Sequence, residues 1–145
     1  MGEVESMEDA LRALFAAQPF AVLATDDGGQ PYVSLMAFTA TDDLKYLIFA
    51  TERDTRKHAN LVRNSRTAAL IDNRPGSASD PGQAIAVTAL GEAREADKGQ
   101  RMLALLKRHP HLETFVKSPS CALVEMRVTT YIVAIGLQKI KELQP

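Results

Sequence analysis

The stretch LKYLIFATERDTRKHANLVRNSRTAALIDN, residues 44–73, decides the fold, because its pattern changes twice along its length. Its first part, residues 44–51, is a short run rich in β-forming side chains, which favours a strand over a helix. Asp54 or Thr55 then offers an N-cap for a brief amphipathic helix. Residues 66–73 return to a strand-like pattern. The stretch therefore predicts a strand, a turn, a short helix and a second strand.

Basic residues gather at the start of this helix, where Arg53, Arg56 and Lys57 follow one another closely. The N-terminal end of a helix is partly positive, so cations there cost about 0.3–1 kcal/mol unless an anion binds. The Thr55 hydroxyl and the first-turn amides, which lack intrahelical acceptors, would join the cations around a phosphate. The alternative is that these are solvated surface charges screened by the neighbouring acids. The pattern alone leaves both interpretations open.

The rest of the sequence alternates between short β patterns and amphipathic helices. We predict an N-terminal helix from a capping box at Ser6–Asp9, a hairpin of strands 20–25 and 31–41 joined by the turn DDGGQ, a surface loop at 74–83, a strand at 84–95, helices at 97–108 and 111–116, and one bent or two adjoining strands at 122–136. Six or seven antiparallel strands with short connections and inserted helices predict a mainly β, α+β fold, a small antiparallel β-barrel with peripheral helices.

Composition and charge restrict the class of protein. The 145 residues suit one domain spanning residues 1–145. A net charge of −1 provides no global basic field for nucleic acid or anionic lipid. The six Arg and Lys residues between positions 53 and 74 are interleaved with acids and lack an aromatic stacking platform. We therefore expect neither a nucleic-acid partner nor a membrane partner.

Reactive residues are sparse. A single cysteine, Cys121, excludes an internal disulfide, and the acidic N-terminus lacks the basic segment of a signal peptide. We therefore expect a cytoplasmic protein. The sequence contains no nucleophile-elbow, P-loop or zinc-protease motif, and His58, His109 and His111 lack the spacing of metal ligands. We predict no metal site, and the sequence identifies no catalytic side chain.

Three segments carry a resemblance to a known family: FAVLAT (20–25) with GQPYVSLMAFTAT (29–41), the stretch quoted above, and ALGEARE (89–95). In this order they resemble the pyridoxamine 5′-phosphate oxidase-like family of split barrels that bind flavin mononucleotide (FMN), over roughly residues 8–137. The resemblance implies a split β-barrel, a homodimer with the cofactor at its interface, and flavin-mediated hydride or electron transfer on a small-molecule substrate.

The resemblance also implies which residues contact the cofactor. Its phosphate would bind near the turn after the third strand, and the isoalloxazine ring would lie along the second strand. The implied phosphate-site residues are Thr51, Arg53, Thr55, Arg56 and Lys57; the ring-site residues are Val33, Ser34, Leu35 and Met36; and Asn73 and Arg74 would join from the next strand or the partner subunit.

The C-terminal end, IGLQKIKELQP, lacks the arginine- and proline-containing ending associated with true pyridoxamine phosphate oxidases. We therefore expect a different small-molecule substrate. Two alternatives keep the same fold. A deazaflavin, whose longer tail also needs a phosphate-binding turn, would replace FMN, or the barrel would hold a flavin or another phosphorylated ligand without catalysis.

Overall fold

The computed structural model describes residues 3–73, 84–136 and 139–145. Within these ranges the structure contains four helices, one 3-10 turn and seven strands. In chain order the elements are α1 (Glu3–Ala17), β1 (Phe20–Asp27), β2 (Gln30–Ala40), β3 (Tyr46–Glu52), α2 (Arg56–Arg63), β4 (Arg66–Asp72), β5 (Ile85–Ala96), α3 (Gly99–Arg108), a 3-10 turn (Pro110–Leu112), α4 (Glu113–Lys117), β6 (Cys121–Ile135) and β7 (Lys139–Leu143).

The strands form one antiparallel sheet in the order β3-β2-β1-β4-β5-β6-β7, and β3 also pairs with β6. This second pairing closes the first six strands into a barrel and leaves β7 as an additional strand. The strand β6 is long enough, at 15 residues, to pair with both β3 and β7. One of its edges pairs with β5, while the other pairs with β3 as far as Arg127 and with β7 from Tyr131 onward. The predicted antiparallel barrel with peripheral helices is confirmed.

A glycine turn between β1 and β2 fixes one end of the barrel. Gly28 and Gly29 have φ angles of 60° and 100°, which glycine adopts without steric cost. The Asp26 carboxylate accepts a hydrogen bond from the Gly29 amide at 2.8 Å. This turn places Asp27 and Tyr32 opposite the helix α2, which is ion-paired to the end of β1.

Two apolar clusters hold the fold. The barrel interior is filled by large side chains that are almost fully buried, among them Leu23, Phe38, Phe49, Ile71 and Tyr131, and α1 adds Leu11 and Phe15. A second cluster joins Leu105 and Val116 of α3 and α4 to Ile48 and Leu123 on the other face of β3 and β6. Both faces of β6 are therefore buried along its first six residues, which agrees with their largely apolar character. The one charged residue among them, Glu125, is ion-paired with Arg94 and Arg101.

Two elements differ from the sequence predictions. The helix α1 begins at Glu3 rather than at the capping box of Ser6. The strand β7 was not predicted, because its alternating lysines resemble a solvated segment. The segment 122–136 forms one continuous strand rather than two. The surface loop predicted at 74–83, with Arg74, lies outside the described residues.

Candidate functional site

The turn between β3 and α2 is organised by two threonine hydroxyls. Thr55 is the N-cap of α2, and its hydroxyl accepts a hydrogen bond from the His58 amide at 3.4 Å and donates to the Glu52 carbonyl at 2.8 Å. The Thr51 hydroxyl lies 3.2 Å from that of Thr55. The amides of Arg56 and Lys57 precede the capped amide and lack intrahelical acceptors. The turn therefore presents hydroxyls, free amides and cations together.

A buried asparagine fixes α2 against the barrel. Asn60 has no exposed surface, and its amide group donates to the Thr25 hydroxyl on β1 at 3.0 Å. Its carbonyl accepts from Arg63 at 2.9 Å, and Arg63 also bonds Asp27 at 3.0 Å. A polar side chain survives in this position because each of its groups is satisfied. The orientation of the turn is thus set by hydrogen bonds inside the protein.

A cleft of about 250 Å³ opens beside the turn. It contains polar groups from the end of β3 and the start of α2, and apolar groups from β2 and from the region of α4. Phe115 and Leu112, which the sequence did not single out, contribute to the apolar part. Five of the predicted cofactor-contacting residues line this cleft: Leu35, Met36, Thr51, Thr55 and Lys57.

The three predicted phosphate-binding cations occupy different environments. Arg53 forms an ion pair of 2.6 Å with Glu95, and Arg56 forms a longer one of 3.6 Å with Asp27. Lys57 is half-buried, lines the cleft, and has no ion pair or hydrogen bond with any described residue. Lys57 is therefore the cation available to a ligand in the cleft, whereas Arg53 and Arg56 do not line it.

Glu95 ties the turn to β5 through its pairing with Arg53. The hydrogen bond from Arg53 holds the pKa of the Glu95 carboxyl below its usual value. A weaker contact with His58 Nε2, at 3.5 Å, acts in the same direction. Both Glu95 and Asp27 neutralise cations of the turn from strands that are distant in sequence.

The remaining predicted site residues are spread along two strands. Val33 and Leu35 on β2 point outward with 63% and 68% of their surface exposed, whereas Ser34 is half-buried and Met36 is buried. Asn73 follows β4 and exchanges hydrogen bonds with Ile85, accepting from its amide through the side chain. Arg74 lies outside the described residues. The structure therefore brings Leu35 and Met36, but neither Val33 nor Asn73, into the cleft beside the turn.

The acidic partners of the site, Asp27 and Glu95, and the ring of Tyr32 are functional candidates that the sequence did not identify. Arg56 lies with its guanidinium carbon 5.7 Å from the centre of the Tyr32 ring. Asp27 was assigned only to the hairpin turn. The sequence offers no signal for either acid, because each meets its arginine only when the strand pairing is known.

The described residues provide neither a metal site nor a membrane-spanning helix. Among the described residues no group of three potential metal ligands occurs, and no described helix is long and apolar enough to cross a membrane. His109 is buried and its Nε2 lies 2.8 Å from the Phe38 carbonyl, so it serves the packing of the 3-10 turn. Cys121 is a buried free thiol, and burial raises its pKa.

Comparison with known proteins agrees with the split-barrel fold. A family model described as pyridoxamine 5′-phosphate oxidase matches residues 7–132. The chain belongs to the pyridoxamine 5′-phosphate oxidase-like family. The matched region contains every strand from β1 to β5 and most of β6. No curated protein matches the sequence.

Several solved structures have a similar fold at low sequence identity. A heme-binding protein from Mycobacterium smegmatis has a TM-score of 0.83 and 17% identity; the match covers 99% of this chain and 59% of that one. General Stress Protein 26 from Bacillus anthracis has a TM-score of 0.72 and 19% identity, with coverage of 96% and 98%. A FAD-binding protein from Mesorhizobium loti has a TM-score of 0.69 and 18% identity, with coverage of 86% and 89%. These similarities show the shared fold.

Proposed function

We propose that this protein is a homodimeric, FMN-dependent oxidoreductase that acts on a small molecule other than pyridoxamine phosphate. The observation that carries the proposal is the cleft in which Lys57, which has no ion pair with any described residue, meets the hydroxyls of Thr51 and Thr55 and an apolar strand. This combination suits a ligand with a phosphate at one end and a flat apolar body at the other. Membership of the family and a FAD-binding neighbour support it.

The residues of the cleft fit a flavin phosphate. Lys57 supplies a cation, Thr51 and Thr55 supply hydroxyls, and the first-turn amides of α2 supply donors in the positive field of the helix. Leu35 and Met36 supply an apolar surface for the ring. Bound FMN would accept and donate the hydride, while these residues bind it, orient it and keep water from it.

The size of the cleft supports a dimer. At about 250 Å³ it is smaller than the 300–1,000 Å³ or so that typical ligand sites enclose, so one subunit supplies only part of a flavin site. Leu35, which lines the cleft, also belongs to the exposed outer face of β2. A second subunit packed on that face would complete the enclosure.

The strand register extends this exposed face across the sheet. Directly opposed residues in antiparallel strands lie on the same side, so outward-facing side chains form rows. One row is Leu35, Val22, Leu70, Thr88 and Ile132, and the next is Val33, Ala24, Ala68, Leu90 and Thr130. Neither row contains a charged residue. We propose that this face packs against a second copy of the chain, since contiguous apolar surface of this kind marks protein interfaces.

A single buried free cysteine agrees with the reducing cytoplasm, which we propose as the location. The described lining of the cleft contains neither histidine nor cysteine. Its one acid, Glu52, is half-buried. We therefore propose that the flavin carries out the redox step and that no side chain acts as a nucleophile.

One experiment tests the cofactor. The purified protein is expected to absorb near the flavin bands, or to acquire them when FMN is added, and mass spectrometry of the material released on denaturation identifies the compound. Arg56→Ala combined with Lys57→Ala is expected to weaken FMN binding by at least tenfold. Lys107→Ala, an exposed lysine on α3, serves as the matched control and should leave binding unchanged. A colourless protein that does not take up FMN refutes the proposal.

Two alternatives share the cleft. A deazaflavin would use the same phosphate site, and competitive titration with both cofactors distinguishes them by relative affinity. A non-catalytic module that holds a flavin or another phosphorylated ligand is supported by the heme-binding neighbour, which shares the fold. Its distinguishing result is a bound flavin that nicotinamide donors do not reduce.

A further inference from the structure

We propose that Asp27 competes with the cofactor phosphate for Arg56 and thereby sets how tightly the site holds a phosphorylated ligand. This inference rests on the proposed function. Both oxygens of the Asp27 carboxylate contact arginines of α2: Oδ1 lies 3.0 Å from Arg63 Nη2, and Oδ2 lies 3.6 Å from Arg56 Nη1. The Asp27 carboxylate thus serves as the anionic partner of two arginines of α2, as a bound phosphate would.

The contact with Asp27 holds Arg56 away from the cleft. Its guanidinium lies over the Tyr32 ring at 5.7 Å on the β1–β2 hairpin, and Arg56 does not line the cleft that the adjacent Lys57 does. Arg56 and Lys57 begin the same helix, so a long flexible side chain at position 56 can reach either anion. Arg56 therefore has two competing partners, one inside the protein and one supplied by the ligand.

The two arginines are held unequally. Arg63 also bonds the carbonyl of the buried Asn60 at 2.9 Å, which fixes it beside the carboxylate. The side chain of Arg56 is 64% exposed and its ion pair is long, so it separates from Asp27 at little cost. When Arg56 leaves, Asp27 keeps its partner Arg63 and no charge is left unpaired.

The competition distinguishes phosphorylated from unphosphorylated ligands. A phosphate monoester carries close to two negative charges at neutral pH and is a stronger partner for a guanidinium than a carboxylate. FMN would draw Arg56 from Asp27, whereas riboflavin, which has no phosphate, would leave the pair intact. Asp27 therefore lowers the affinity for FMN without altering that for riboflavin, and it favours an exchangeable cofactor over a permanently bound one.

The test is a titration of the full chain with FMN and with riboflavin, in which the quenching of flavin fluorescence measures binding. Asp27→Asn preserves the shape of the side chain and removes its charge. We expect it to tighten FMN binding by about two- to fivefold, the range expected from an exposed ion pair, and to leave riboflavin binding unchanged. In an Arg56→Ala background the same substitution should have no effect. Asp27→Ser repeats the measurement if the asparagine variant fails to fold.

Asp26→Asn is the matched control, because it removes a neighbouring charge whose carboxylate bonds the Gly29 amide and Asn64 rather than α2 arginines. An equal gain in Asp26→Asn, or a gain that persists without Arg56, would attribute the effect to the general field and overturn the inference. So would unchanged FMN affinity in Asp27→Asn. A wild-type protein that binds no FMN refutes the proposed function itself, which is a different outcome.

Discussion

Asn60→Ala should weaken the attachment of α2 to the barrel and leave the apolar core intact. The substitution removes a neutral hydrogen bond to Thr25 at 3.0 Å, a loss of about 1 kcal/mol, and a charge-assisted bond from Arg63 at 2.9 Å, a loss of about 1.5 kcal/mol because Arg63 is exposed. Alanine returns roughly 0.5 kcal/mol as the better helix former. The net expectation is a decrease of about 2 kcal/mol in the free energy of unfolding.

Thermal and urea denaturation measure this change, which corresponds to a melting temperature about 6 °C lower for a domain of this size. Val62→Ala is the control on the same helix, since Val62 is 74% exposed and its truncation should change stability by less than about 0.5 kcal/mol. A double-mutant cycle with Thr25→Val should give a coupling of about 1 kcal/mol between the two side chains. A melting temperature of Asn60→Ala within about 1 °C of the wild type would refute the anchoring role.

Four further substitutions, one of them a control, test other parts of the structure. Tyr131→Phe removes a buried hydroxyl that donates to a turn carbonyl at 2.7 Å and should cost about 1–3 kcal/mol in urea denaturation. Gly91→Ala places a methyl group against a backbone oxygen of β6 and should destabilise by about 1–3 kcal/mol, whereas Gly99→Ala, with open space around it, should be neutral or slightly stabilising. The hydrogen bond from Arg53 lowers the pKa of Glu95 in the folded protein below its unfolded value near 4.5. The stability that this pair contributes is therefore present above that unfolded value and is lost as the pH falls through the lower folded value. Glu95→Gln should accordingly make stability fall less steeply below about pH 5. An identical acid profile in the variant would contradict that pairing.

The barrel was predictable from the sequence because its signals are local. Glycines at positive φ mark the β1–β2 turn, Thr55 caps α2, and short β-rich runs define the strands between. These features need only neighbouring residues to be recognised. The closure of the barrel was inferred from the number of strands and their short connections, together with the family resemblance, and not from any one segment. The pairing of β3 with β6 joins residues roughly seventy to eighty positions apart, so no local pattern contains it.

The candidate site was predictable only in part, for a related reason. The sequence located the basic turn, and the structure brings Thr51, Thr55 and Lys57 to one cleft. The sequence gave no indication that Arg53 pairs with Glu95 or that Arg56 pairs with Asp27, since those acids come from strands distant in sequence. Side-chain partners of that kind depend on strand register, which a list of charges does not contain.

The three cations of the turn, Arg53, Arg56 and Lys57, differ in what neutralises them. Arg53 is neutralised by Glu95 in a short ion pair, so its unfavourable position beside the helix dipole is already relieved. Arg56 is neutralised by Asp27 at a longer distance and remains exposed. Lys57 alone among the three has no partner in the described chain, and it is the one that lines the cleft. We therefore propose that the anion which compensates Lys57 comes from a ligand that binds beside the two hydroxyls and the first-turn amides of α2.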